Sequence, residues 1–257
     1  MSVDLITSYR GRPFSPGFNN YADLEAEAGL KFQILLLEAG GREKVGSDTE
    51  ETAVVVIEGK GSLRYRDEQT RFHRTSWVEE NPTVVHFSRG ETLTVAAEGE
   101  TRLAIISTMN EETFEGRVYA HSEIDVEHRG KDLLDGTCYR LVRLAFDQSI
   151  APEAAKLVLG EVLNFPGKWS SYPPHHHEQP EIYYYEFSPK EGYGHGELGS
   201  QVFKIQNKDL LVITGNRDHS QVSAPGYHMY YIWAIRHLEG KPYAGFEFTP
   251  PYDRLLD

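Results

Sequence analysis

The chain has 257 residues, of which 39% are hydrophobic and 25% charged, with a formal net charge of −13. This composition suits a soluble globular protein with a sizeable core, and the length fits one large domain or two of about 120 residues. The acidic balance disfavours nucleic acid and anionic membrane surfaces as partners, and no apolar run approaches the ~18 residues needed to span a bilayer.

The N-terminal stretch MSVDLITSYRGRPF has no apolar segment backed by positive charge, so no secretory signal is expected. Tyr21 to Ala28 reads as a short helix. Short β-branched and aromatic runs follow, separated by Gly, Pro, Asn and Asp: Phe32 to Leu37, Thr52 to Ile57, Gly61 to Tyr65, Thr92 to Ala96 and Arg102 to Ile106. Glu111 to Asp135 is polar and charged, and reads as a connection carrying one or two strands of its own. The same strand style resumes in Lys156 to Leu163, Glu181 to Phe187, Gln201 to Lys204, Asp209 to Ile213 and Met229 to Ile235. Many short strands at near-regular spacing predict an all-β chain built of sandwiches or barrels. The boundary is placed near residue 125, giving halves 1–125 and 126–257. The single cysteine, Cys138, cannot form an intrachain disulfide and reads as a buried thiol, which fits the cytoplasm.

The chemistry concentrates in Pro173-Pro-His-His-His-Glu-Gln-Pro-Glu181. On an extended strand His175 and His177 point one way and His176 the other. A turn at Gln179-Pro180 then lets Glu181 open the next strand beside the two imidazoles. Imidazole and carboxylate together suit a first-row divalent metal, and three ligands from one hairpin leave room for substrate. A fourth ligand is expected from a later strand, with His219 and His228 as the candidates. The first half offers an internal control. Glu51 also precedes an apolar strand, but the positions matching His177 and His175 hold Ser47 and Val45, so no metal is expected there. His73, His86 and His121 read as surface or core histidines.

HxH-x3-E followed by a distant His resembles the metal motifs of the cupin superfamily, small double-sheet barrels. The flanks sharpen this. Pro166-Gly-Lys-Trp-Ser-Ser-Tyr-Pro-Pro-His-His-His177, Glu181-Ile-Tyr-Tyr-Tyr185, Gln206-Asn-Lys-Asp209 and Ala224-Pro-Gly-Tyr227 are similar to the 5-deoxy-glucuronate isomerase family of inositol catabolism. The resemblance implies a bicupin, two double-stranded β-helix jelly-roll barrels, with the metal in the C-terminal barrel. It implies His175, His177, Glu181 and His219 as ligands, and conversion of 5-deoxy-D-glucuronate to 5-dehydro-2-deoxy-D-gluconate. The turn before His219 departs from the family pattern, being one residue longer and lacking its Pro. The metal itself stays open among zinc, manganese, iron and nickel.

Such an aldose–ketose isomerisation needs a polarised carbonyl, a base and neutralisation of oxyanion charge. Strand parity turns Tyr183 and Tyr185 inward with Glu181, making them candidates for proton transfer as an ionised phenol, or for hydroxyl binding. Glu161, on the preceding strand, is a second candidate base. Arg140, Arg143 and Lys168 are candidates for holding the sugar acid's carboxylate. The spacing of the two arginines puts them on opposite faces of a strand, so one enters the barrel, and Arg140 matches the more recognisable family position. The competing classes are a cupin oxygenase using the same ligands and a sugar-acid-binding protein without turnover. Exposed edge strands of cupin-like folds also allow pairing of copies into a homo-oligomer.

Overall fold

A computed structural model describes residues 4–21 and 24–256. The chain divides into two compact units: Arg12–Asp125 with Ala145–Leu157, and Met1–Gly11 with Val126–Leu144 and Val158–Asp257. Both are β-structures, and among the described residues no helix is long and apolar enough to cross a membrane. The one α-helix among the described residues, Leu24–Ala28, covers the end of the segment read as helical, whereas Tyr21 ends the strand Gly17–Tyr21. Ala22 and Asp23 lie outside the described residues.

In the first unit, Thr52 to Ile57 and Gly61 to Tyr65 are not two strands but one, Glu50–Tyr65. Its first part pairs with Val84–Phe87 and Thr101–Met109, its second with Glu68–Arg74 and Leu93–Ala97. The register shifts between Val56 and Glu58, and Gly59 follows at φ 131°. A Cβ at Gly59 would lie 2.4 Å from Thr101 Oγ1. Glycine therefore lets the strand bend and continue where the sequence suggests a break. Side chains from both ladders, including Val54, Val56, Leu63, Val85, Leu93 and Leu103, bury into one apolar cluster.

The second unit stacks two sheets. The larger runs in the order Leu5–Ile6, Leu210–Ile213, Glu181–Ser188, His228–Arg236, Leu157–Asn164, Arg140–Phe146, Glu127–Arg129. The smaller runs Gln201–Gln206, Tyr193–Leu198, His219–Ser223, Trp169–His176, Glu247–Phe248. The charged connection thus carries two short strands, Arg117–Tyr119 and Glu127–Arg129, as its composition allowed. Tyr183, Tyr185, Phe187 and Tyr231 of the larger sheet pack with Leu198 and Ile205 of the smaller. Burial of these side chains, at about 1.5–3 kcal/mol each, holds the two sheets together.

Candidate metal centre

Two sheets meet at the candidate site. Glu181 begins the strand Glu181–Ser188 in the larger sheet, while His175 and His219 are direct partners across the smaller one. That pairing needs an irregularity. Ser170 pairs with Gln221 and His175 with His219, so the Ser-Ser-Tyr-Pro-Pro run bulges out of the ladder between them. Pro173 and Pro174 lack the N–H that a regular ladder requires, and Ser171 takes a left-handed φ of 52°. The bulge re-aims the chain so that His175 and His177 enter the interior. His176 faces the other way, its Nδ1 2.9 Å from Asp218 Oδ1.

His177, Glu181 and His219 are buried, with one ligand atom from each within 4.8 Å of the others. His177 Nε2 lies 3.0 Å and His219 Nε2 3.4 Å from the same oxygen, Glu181 Oε2. Ligands held at about 2.1 Å from one ion stand roughly 3.0–3.4 Å apart, so these separations fit a shared divalent cation. Protonation points the same way. His219 Nδ1 donates to the Arg217 carbonyl at 3.1 Å, and His175 Nδ1 faces the Pro173 carbonyl at 3.4 Å. Each contact puts the proton on Nδ1 and leaves Nε2 its lone pair. Buried His219 Nε2 makes no hydrogen bond. The His175 ring lies 4.4 Å from that of His219, beside the three-residue cluster. Burial, reinforced by the neighbouring His219 ring, pushes the His175 pKa well below its usual value, so its imidazole is neutral. Burial raises the Glu181 carboxyl, but the His177 and His219 imidazoles outweigh it and bring it down to about 2. The donor set is thus one carboxylate with neighbouring imidazoles, the chemistry a borderline divalent metal takes.

A cavity of about 70 Å³, open to solvent at its mouth, is lined by His175, His177 and Glu181 together with Arg140, Ser171 and Tyr183. Tyr183 is buried. Burial and the Glu181 charge push its phenol well above 10, which favours a hydroxyl donor over an ionised base. Its oxygen is 3.3 Å from Ser171 Oγ. Tyr185 shares the inward face but is one layer deeper, its hydroxyl donating to Gln221 Oε1. Burial raises its pKa as well.

Besides Tyr185 and His219, three further sequence candidates do not line this cavity. Glu161 is paired with Arg143 at 2.8 Å and accepts from Tyr230 at 2.7 Å. Its neighbour Val162 lines the cavity, so Glu161 faces the opposite side of the strand. Arg143 is on that outer face too, which leaves Arg140 as the arginine that enters. Lys168 does not line the cavity, and its carbonyl accepts from Asn164 and Ser223. The rival ligand His228 pairs with Ser188, at the end of the strand remote from Glu181.

Sequence reasoning missed Arg129, Tyr231, Trp233, Tyr243 and Phe246, all of which line the cavity. Tyr231, Trp233 and Ile235 are the register partners of Tyr185, Tyr183 and Glu181. Parity would have found them, had the pairing of the two strands been known. Tyr243 and Phe246 lie in an irregular segment with no periodic signal, and their rings pack against His177 and His175 at 5.0 and 4.2 Å.

The fold has known counterparts. A cupin 2 conserved barrel domain protein from Leptotrichia buccalis superposes with a TM-score of 0.54 at 11% identity, over 90% of this chain and 95% of its own. An IolB-like protein from Salmonella typhimurium LT2 superposes with a TM-score of 0.84 at 22% identity, over 100% of both chains. In sequence, a 5-deoxy-glucuronate isomerase from Lacticaseibacillus casei is 31% identical over 257 residues, covering 90% of this chain and 91% of the relative. The all-β architecture is therefore of cupin type, and with a family model matching residues 19–255, the chain belongs to the KduI/IolB family.

Proposed function

We propose that this chain is an intramolecular oxidoreductase that interconverts an aldose and a ketose of a sugar acid, with 5-deoxy-D-glucuronate as substrate and 5-dehydro-2-deoxy-D-gluconate as product. The observation that carries the reading is one cavity lined both by His175, His177 and Glu181 and by Arg140. A relative that matches nine-tenths of the chain is named 5-deoxy-glucuronate isomerase.

His177, Glu181 and His219 would hold a divalent metal, with His175 as the fourth ligand beside them. When bound, the metal supplies Lewis acidity at a carbonyl oxygen and offsets negative charge that develops there. The chain's own residues bind and orient the substrate. Glu181 stays anionic and His175 neutral, so both are in the ligating state at neutral pH. Tyr183, held as a neutral phenol against Ser171, gives a hydrogen bond to a substrate oxygen and holds a proton there as charge shifts between adjacent oxygens. Arg140 pairs with the substrate carboxylate and so orients the sugar in the cavity. Tyr243 and Phe246 wall the site with aromatic surface. The reading includes a cytoplasmic enzyme, where Cys138, buried against the Gly130 and Leu133 carbonyls, stays reduced.

The test is an NMR time course with 5-deoxy-D-glucuronate, run before and after chelation, with dissolved oxygen recorded. Ketose formation that chelation stops, with no oxygen consumed, is the expected result. Oxygen uptake coupled to substrate loss would replace the isomerase with an oxygenase at the same ligands.

A further inference from the structure

Two arginines face each other on the wall of the cavity. Arg129 and Arg140 are Cα partners across the strands Glu127–Arg129 and Arg140–Phe146, and both line the space that His175, His177 and Glu181 share. Directly opposed residues of an antiparallel ladder point to one face, and like charges so placed repel. Among the described residues only the Glu127 carboxylate is hydrogen-bonded to this pair. Two residues from Arg129 and so on the same face, it accepts a forked pair of hydrogen bonds from Arg129 Nε at 2.8 Å and Nη2 at 2.6 Å. Arg140 has no such partner. It is 7% exposed, and its one hydrogen bond among the described residues runs to the Cys138 carbonyl at 2.8 Å. Burial lowers the Arg140 pKa, and the neighbouring Arg129 charge lowers it further. A buried guanidinium facing a second one, beside a cavity, is a place where an incoming anion relieves an existing cost.

We propose that Arg129 and Arg140 together clamp the substrate's carboxylate, and that Glu127 is an internal stand-in that holds Arg129 until the substrate displaces it. The clamp deepens the isomerase reading and rests on it for the identity of the sugar acid. The exchange swaps one carboxylate for another at Arg129 and gives Arg140, otherwise bonded to the Cys138 carbonyl, a carboxylate in direct contact. Glu127 loses little by leaving, because its side chain is 55% exposed and returns to water. A sugar with a neutral group in place of the carboxylate leaves Glu127 where it is and Arg140 unpaired. The site thus selects against neutral sugars of the same shape.

Calorimetric titration of the full-length, metal-loaded protein with D-glucuronate and with D-glucuronamide tests this, since the two ligands differ only in that charge. Loss of a charge-assisted hydrogen-bond partner predicts glucuronate binding weaker by about 30-fold in Arg140→Gln and about 10-fold in Arg129→Gln. Glu127→Gln removes the competitor and tightens glucuronate binding by about threefold. Glucuronamide affinity stays level across all three variants, which a merely structural role for these residues would not produce. Glucuronate affinity unmoved in Arg129→Gln and Glu127→Gln, or no measurable glucuronate binding to the wild type, overturns the clamp. Turnover of 5-deoxy-D-glucuronate by the same preparation reports separately on the isomerase. Charge-selective binding without turnover would keep the clamp and remove the reaction.

Discussion

Glu51 and Glu181 each stand at the start of an apolar strand, and both carboxylates are buried. Their neighbours differ. Glu51 Oε1 accepts from His86 Nε2 at 2.7 Å and Leu157 N at 3.0 Å, while Oε2 accepts from Asn110 Nδ2 and Lys156 N, both at 2.8 Å. His86 is stacked on Phe146 with ring centroids 4.1 Å apart, and its one imidazole serves the carboxylate alone. Both carboxylate oxygens are satisfied by the fold, so the cluster ties strands of the first unit together. Glu181 instead faces two imidazoles at metal-ligand spacing, one of them with an unused buried Nε2, next to an open cavity. A buried His–Glu pair is therefore not a site by itself. What separates the two is whether the remaining lone pairs are satisfied by the fold or left for something else.

The largest effect expected from this contrast is on turnover. Glu181→Gln removes a ligand and its charge, and loss of several kcal/mol of charge stabilisation predicts a fall in kcat of about 10³-fold or more. Glu51→Gln should leave turnover per folded molecule near wild type and strike stability instead. Breaking that buried pair costs about 3 kcal/mol, read as a shift of the urea midpoint. If Glu51→Gln lost metal or activity without losing stability, the contrast would fail.

The Glu51 cluster also sets an acid limb. Burial raises its carboxyl, but His86, Lys156 and Asn110 outweigh that and hold it below its ordinary value of 4.5. A depressed pKa contributes stability in full above the ordinary value, and that contribution is lost as pH falls below it. The wild type should therefore lose stability on acidification below about 4.5 more steeply than Glu51→Gln. Parallel acid profiles for the two proteins would contradict the pairing.

Smaller effects sharpen the other side. Tyr183→Phe keeps the ring and removes the donor, which predicts a kcat lower by about 10-fold with metal content unchanged. His176→Ala, on the outer face of the ligand strand, should cost less than about 1 kcal/mol and leave metal content intact. A loss of metal in His176→Ala would mean that the strand's alternation has been misassigned.

The ligand hairpin was legible because alternation on a strand is local: His175, His177 and Glu181 follow from a few consecutive residues and one turn. His219 needed the family pattern, since nothing nearby in sequence separates it from His228. Glu161 was misplaced for a physical reason. Every residue of Leu157–Asn164 is buried, so the strand carries no polar–apolar alternation to tell its faces apart. Arg129 sat unnoticed in a charged connection because its partner, Arg140, is supplied by a strand pairing that composition does not encode. Likewise, the strand Glu50–Tyr65 looked broken because Gly59 reads as a turn residue, although it serves a bend against Thr101.

The central claim is that the His177, Glu181 and His219 cluster holds a metal on which isomerisation depends. Elemental analysis of the purified wild type beside His177→Ala tests it most directly, with each sample then given 5-deoxy-D-glucuronate and followed by NMR. The account predicts about one divalent ion per wild-type chain, matching a cluster built for a single cation, and loss of ion and turnover together in the variant. Turnover in His177→Ala at the wild-type rate, or a wild type that isomerises the sugar acid with no bound metal, would contradict it.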